Sequence, residues 1–217
     1  MARAPRIRYS RAEEVSDLIV HLSGVGLMLV AVPVLIALTV ARGAGEALVA
    51  GVAVYGATLI AMLGFSALYN TLGRHRWRGL LRRLDHSAIY AKIAGTYTPF
   101  ALVAGSQSGW LLTGLWTAAL AGVGLKMISP ARLRGLALML YLGMGWAGIV
   151  AGGGLLVALS PAVIALIVIG GLIYTGGVVF YLMDRIPFHY TLWHVFVLAA
   201  TAVFYAAVTT LVVQVTA

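Results

Sequence analysis

Seven apolar stretches follow one another along the chain, separated by short breaks that are charged or rich in glycine. A helix that spans a membrane needs about 20 mostly apolar residues, and each stretch reaches or approaches that length. Backbone groups in hydrocarbon must be hydrogen-bonded within the protein, and no stretch alternates as a barrel strand does. The pattern predicts an all-α membrane protein with seven transmembrane helices, at residues 15–40, 46–72, 83–104, 110–128, 134–157, 161–183 and 188–214.

Composition agrees with this pattern, because 62% of the 217 residues are hydrophobic and only 10% are charged. A soluble domain of this size does not need so large an apolar share to fill one core. We therefore expect a multi-pass protein integral to the inner or plasma membrane of the cell. Its predicted parts are a basic cytoplasmic N-terminal segment, residues 1–14, and a single transmembrane domain, residues 15–217.

Lysine and arginine are distributed unevenly among the breaks, and such residues accumulate on the cytoplasmic side of membranes. Arg42 follows the first stretch and Lys92 lies inside the third, whereas the other thirteen of the 15 basic residues precede the first stretch or follow an even-numbered one. This asymmetry predicts a cytoplasmic N-terminus and, after seven spans, a C-terminus outside. The thirteen are Arg3, Arg6, Arg8, Arg11, Arg74, Arg76, Arg78, Arg82, Arg83, Lys126, Arg132, Arg134 and Arg185.

The net charge of +9 comes from residues that flank apolar spans, and the chain has no soluble basic domain. We therefore expect contact with membrane lipids and no binding of nucleic acid. The chain contains no cysteine, which excludes disulfides and thiolate metal ligands.

A small set of polar side chains lies inside or at the ends of the apolar stretches, where polarity is costly. Asp17 and His21 are four residues apart, as are Ser66 and Asn70, so each pair shares a helix face. In the predicted topology all members of the set except Lys92 lie toward the cytoplasmic side, where together they could orient a water molecule or bind zinc. The other members are Asp85, His86, Lys92, His189 and His194.

Each of these residues also has a simpler structural explanation. Ser66 could bond the carbonyl one turn earlier, and Asp85 could cap the third helix or pair with a nearby cation. His194 could be a neutral core histidine that is satisfied by a polar neighbour. Lys92 could pair structurally, or it could line a polar site for an anionic lipid headgroup.

Four segments of the chain carry a resemblance to a known family. They read SALYN from Ser66, LRRLDHSAIY from Leu81, IAGTYTPF from Ile93 and WHVFV from Trp193. In these segments and their order the chain resembles the hemolysin III family, which belongs with the progestin and adipoQ receptors and, more distantly, with alkaline ceramidases. The resemblance implies a seven-helix bundle with a cytoplasmic N-terminus and a zinc site near the cytoplasmic face.

The same resemblance assigns roles to residues. In the zinc-binding relatives three histidines hold the metal, a serine lies four positions before the first of them, and an aspartate on the third helix orients the water at the zinc. Carried over to this sequence, the serine is Ser66, the aspartate is Asp85 and the last histidine is His194.

Two of the three family ligand positions differ in this chain, because they hold Asn70 and Tyr190. A neutral amide and a phenol are poor zinc ligands. His189 is a possible substitute, although on a regular helix it would point roughly 140° away from His194. His21 and His86 could also donate, but the resemblance assigns neither of them as a ligand. The sequence therefore predicts a degenerate zinc-hydrolase site.

Three classes of function follow. The loss of two ligands favours a non-catalytic role in lipid sensing or membrane homeostasis. The alternative is a zinc-dependent lipid amide hydrolase, similar to a ceramidase, with Ser66 and Asp85 as catalytic residues. The family name implies a third, a membrane-permeabilising activity.

Overall fold

The computed structural model describes residues 9–72, 76–128, 134–150, 153–183 and 185–217. Within these ranges the regular structure is entirely helical, which confirms the all-α prediction. Arg3, Arg6, Arg8, Arg74 and Arg132 lie outside them. The helices are α1 (Arg11–Ala41), α2 (Glu46–Leu72), α3 (Arg78–Ala104), α4 (Gly109–Ile128), α5 (Arg134–Val150), α6 (Gly153–Ala158), α7 (Pro161–Leu182) and α8 (His189–Val215), with a 3₁₀ turn at Gly105–Ser108 between α3 and α4.

The described helices are those of a polytopic membrane protein. Five helical runs are long and apolar enough to cross a membrane: α1, α2, the run from Arg78 to Ile128, α7 and α8. The run from Arg78 to Ile128 contains both α3 and α4, which pack against each other, and Trp116 Nε1 donates to Thr98 Oγ1 across their interface at 3.2 Å. The fifth predicted stretch corresponds to two shorter apolar helices, α5 and α6.

Local sequence explains where several helices begin. Ser10 and Glu13 form a capping box at the start of α1. Ser160 caps α7, whose first residue is a proline. Helix α3 begins at Arg78, five residues before the predicted boundary at 83. Asp85 therefore lies about two turns inside α3 and cannot be its N-terminal cap.

The bundle brings one end of each of four helices together. Helix α1 packs against α2 and α8, and α3 packs against α2 and α4. Small residues allow the close approaches: a Cβ on Gly122 of α4 would lie 2.6 Å from the ring of Tyr90 on α3. The start of α1, the end of α2 and the starts of α3 and α8 consequently meet at one end of the bundle.

The predicted orientation can be tested cleanly because the chain has no cysteine of its own. Ala12 and Ala217 are exposed and lie near opposite termini. In intact cells, Ala217→Cys is expected to react with a membrane-impermeant maleimide, whereas Ala12→Cys should react only after the membrane is opened. The reverse pattern, or labelling of both positions in intact cells, would contradict the topology inferred from the basic residues.

Candidate metal centre

Three potential metal ligands from two distant parts of the chain converge at this end of the bundle. Asp17 and His21 lie one turn apart on α1, and His194 comes from the second turn of α8. His194 Nδ1 lies 2.6 Å from Asp17 Oδ1, and His21 Nε2 lies 3.4 Å from Asp17 Oδ2. One ligand atom from each residue lies within 4.8 Å of the others, so a single ion could contact all three.

The residues at the two differing family positions surround this triad. Asn70 Nδ2 lies 3.1 Å from His21 Nε2 and donates to the carbonyl oxygen of Ser66 at 2.9 Å. The ring of Tyr190 packs edge-on against that of His194, with centroids 4.5 Å apart. Asn70 and Tyr190 therefore contact the two histidines of the triad and hold their rings in place.

A second carboxylate, Asp85, lies close by on α3. It is only 7% exposed and lies near Ser66, which comes from the last turns of α2. His86 Nε2 lies 3.9 Å from Asp85 Oδ2. Among the described residues, no lysine or arginine lies within 4 Å of the Asp85 carboxylate, so the predicted alternative of a structural pair with Arg82, Arg83 or Lys92 is not observed.

The two histidines of the triad and the second carboxylate open onto one cavity of about 400 Å³ inside the bundle. His21 and His194 line it on one side, and Ser66 and Asp85 line it on another. The rest of its wall is mostly aliphatic and aromatic. A cavity of this size and lining suits a chain-like apolar ligand with a few polar contacts.

The donor set fits a zinc ion. Two imidazoles and one carboxylate are a known combination in catalytic zinc sites, where three protein ligands leave one position open. Asn70 Nδ2 donates to His21 Nε2, the ring nitrogen that faces Asp17, so an ion bound by this nitrogen would take the place of that hydrogen bond. The chemistry of the residues present therefore supports metal binding, although by a different set from the one that the resemblance assigns.

His189, the predicted substitute ligand, does not join the triad. Phe188, directly before α8, has a left-handed backbone with φ of 59°, but the helix is regular from His189 onward, and His189 Nδ1 donates to the carbonyl of Phe180 at 3.3 Å. Its Nε2 atom is buried and has no hydrogen-bond partner in the described part of the chain. The helical spacing from His194 explains why the two rings diverge.

The family resemblance assigns neither Asp17 nor His21 as a ligand; the sequence offered His21 only as a further possible donor and did not offer Asp17. Their four-residue spacing on one face of α1 was a visible signal, because this spacing aligns two side chains along a helix. Their proximity to His194 could not be inferred, since it depends on the packing of α1 against α8 across 177 positions of sequence.

Comparison with known proteins agrees with these features. The sequence model of the family described as "Haemolysin-III related" matches residues 9–205. The chain is 36% identical to "Hemolysin-3 homolog" of Bacillus subtilis over 90% of its own length and 92% of that protein's, and 36% identical to "Hemolysin-3" of Bacillus cereus over 90% of each. It is also 29% identical to human "Monocyte to macrophage differentiation factor" over 71% of this chain and 67% of that one. The match along nearly the whole chain, together with the helical bundle, shows that this multi-pass integral membrane protein belongs to the haemolysin III-related family.

Proposed function

We propose that the protein is a zinc-dependent hydrolase that cleaves an amide bond of a membrane lipid. The observation that carries the proposal is that His21 and His194, two of the three possible ligands, line the same cavity as Ser66 and Asp85, while Asp17 completes the triad behind the two histidines. A metal site with an open position beside a second carboxylate is the arrangement that hydrolysis needs. A site of purely structural role would be closed by a fourth protein ligand.

The residues have distinct roles in this reaction. Asp17, His21 and His194 would hold zinc, which supplies Lewis-acid activation of the scissile carbonyl. The Asp85 carboxylate accepts a proton from the attacking water and then delivers it to the leaving nitrogen. Ser66 lies beside this carboxylate on the cavity wall and would help to orient it. Water adds across the C–N bond, giving a carboxylic acid and an amine.

The cavity supports a lipid substrate. Its wall continues from the triad along α3 past Ile89 and Ile93 to Thr96, in mostly apolar surroundings. An acyl chain lying along this wall would leave its amide beside Asp85, so the apolar contacts would position the bond that reacts.

A second candidate function is non-catalytic lipid sensing, and one observation favours it. The triad is hydrogen-bonded within itself and to Asn70, so its polar groups have partners without an ion. A buried network of this kind is stable when its members are satisfied, and it would serve as the polar wall of a lipid-binding cavity.

The two functions are separated by an assay of the purified protein. Zinc-loaded protein in lipid nanodiscs is incubated with a long-chain N-acyl sphingoid lipid, and released fatty acid is measured by mass spectrometry. The hydrolase predicts release that stops with a chelator and returns with zinc. Absence of release from protein shown to contain zinc, across acyl chains of several lengths, would favour the sensing role instead.

A further inference from the structure

Two basic side chains, Arg82 on α3 and Lys126 on α4, line the same cavity as His21 and His194. Lys126 is only 3% exposed, and Arg82 is half-buried. Within the described ranges neither side chain lies within 4 Å of a carboxylate, and Lys126 makes no hydrogen bond to a described residue. Burying an ammonium group on a cavity wall that carries a second cation is costly unless an anion shares the site.

Membrane topology alone does not account for this pair. Basic residues at the cytoplasmic ends of helices satisfy the topology signal when they are exposed to solvent or headgroups, as Arg78 is. Lys126 also lies in the last turn of α4, where a cation interacts favourably with the helix dipole. Neither effect requires the ammonium group to be buried on the wall of a cavity that a guanidinium also lines.

Lys92, the third cation on the wall, is different because its contacts lie within the protein. Its Nζ donates to Tyr174 Oη at 2.9 Å and lies 4.4 and 4.9 Å from the ring centroids of Tyr174 and Phe204. Cation–π contacts and a hydrogen bond stabilise this ammonium group. The cations without such internal partners are therefore the pair at Arg82 and Lys126.

We infer that Arg82 and Lys126 bind the phosphate group of a membrane lipid whose chain occupies the apolar part of the cavity. A phosphate matches the pair because a guanidinium binds two of its oxygens at once and an ammonium group contacts a third. Arg82 is three residues before Asp85 on α3, a rise of roughly 4.5 Å along the helix. The headgroup would therefore lie one turn away from the carboxylate that faces the triad.

If the protein is the proposed hydrolase, this site would select its substrate, and the inference rests on the proposed function in that respect. The substrate would then be an amide lipid with a phosphate headgroup. The binding itself does not require a metal ion, since neither Arg82 nor Lys126 belongs to the triad. Binding can therefore be measured in the presence of a chelator. If no lipid phosphate binds, the proposal of a metal-dependent hydrolase still stands. If no lipid amide is cleaved, the proposal of a phosphate-binding site still stands.

The test is a calorimetric titration of the full-length protein in detergent with chelator at physiological salt. The probes are a lysophosphatidic acid, the monoacylglycerol with the same acyl chain, and inorganic phosphate. We expect the lipid phosphate to bind at least about 10-fold more tightly than the neutral lipid, since charge-assisted contacts are worth more than a factor of ten. Arg82→Gln and Lys126→Gln should each weaken binding about 10-fold, and Lys126→Arg should retain it.

Arg78→Gln is the matched control, because it removes the same charge one turn earlier on the same helix, from an exposed position. It should change the affinity by less than about twofold. Equal binding of the two lipids, or unchanged binding in folded Arg82→Gln and Lys126→Gln, would overturn the inference. If inorganic phosphate, at the same concentration as the lipid, displaced the lipid, the site would bind free phosphate and the inference of a lipid headgroup would be wrong.

Discussion

Replacing Asp85 by Asn is expected to reduce lipid amide hydrolysis by about 1,000-fold while leaving the zinc content unchanged. The amide keeps the shape and size of the side chain, but it cannot accept a proton from water. General base catalysis typically contributes roughly 100- to 10,000-fold, and this carboxylate is the proton acceptor that the cavity offers beside the triad. The measurement is the initial rate of fatty acid release, with zinc content determined on the same sample.

Glu46→Gln is the matched control for Asp85→Asn, since it makes the same chemical change at an exposed position in the first turn of α2. It should leave the rate unaltered. A variant Asp85→Asn that releases fatty acid at the wild-type rate would remove this residue from the chemistry. If deletion of the protein changes membrane composition and Asp85→Asn restores it fully, the sensing role becomes the better account.

Replacing Asp17 by Asn is expected to weaken zinc binding by more than about 100-fold. Loss of a residue that only hydrogen-bonds to a metal ligand typically weakens binding by roughly 10- to 100-fold, and loss of a ligand should cost more. Asp17 contributes the negative charge of the triad and lies within hydrogen-bond or ion-pair distance of both histidines. An amide preserves the size of the side chain, so the fold should survive. The affinity is measured by competition with a chromogenic zinc chelator, after the thermal stability of the variant has been checked.

His189→Gln is the informative comparison for Asp17→Asn. The His189 ring bonds to the carbonyl of Phe180 rather than to the triad, so its replacement should leave zinc affinity within about threefold of wild type. If His189→Gln weakened zinc binding and Asp17→Asn did not, the ligand set inferred from the sequence would be the correct one.

The helical architecture could be predicted from the sequence because a helix that spans a membrane requires a long run of apolar residues, which is visible locally. Long apolar stretches can be recognised without tertiary information, and six of the seven coincide with one helix each in the described part of the chain, while the fifth corresponds to α5 and α6. The start of α3 was placed five residues too late, since the arginines before 83 break the apolar pattern but are good helix formers. That error made capping a reasonable role for Asp85, which the longer helix excludes.

The candidate site was predicted only in part. The common depth of Ser66, Asp85 and His194 followed from topology, and all three line one cavity. The partner of His194 did not follow, because it depends on which faces of α1 and α8 meet. Asp17 and His21 lie close to His194, whereas Asn70 and Tyr190 hold the other two family ligand positions, so a count at the family positions underestimates the potential ligands around His194.

The central claim is that Asp17, His21 and His194 hold a metal ion inside the membrane domain. The most direct test is the zinc content of the detergent-purified protein, wild type beside His194→Ala, by elemental mass spectrometry after zinc loading and removal of loosely bound metal. The triad predicts about one zinc per wild-type chain and its loss in the variant. A wild-type protein without zinc, or a folded His194→Ala protein that keeps it, would contradict the claim.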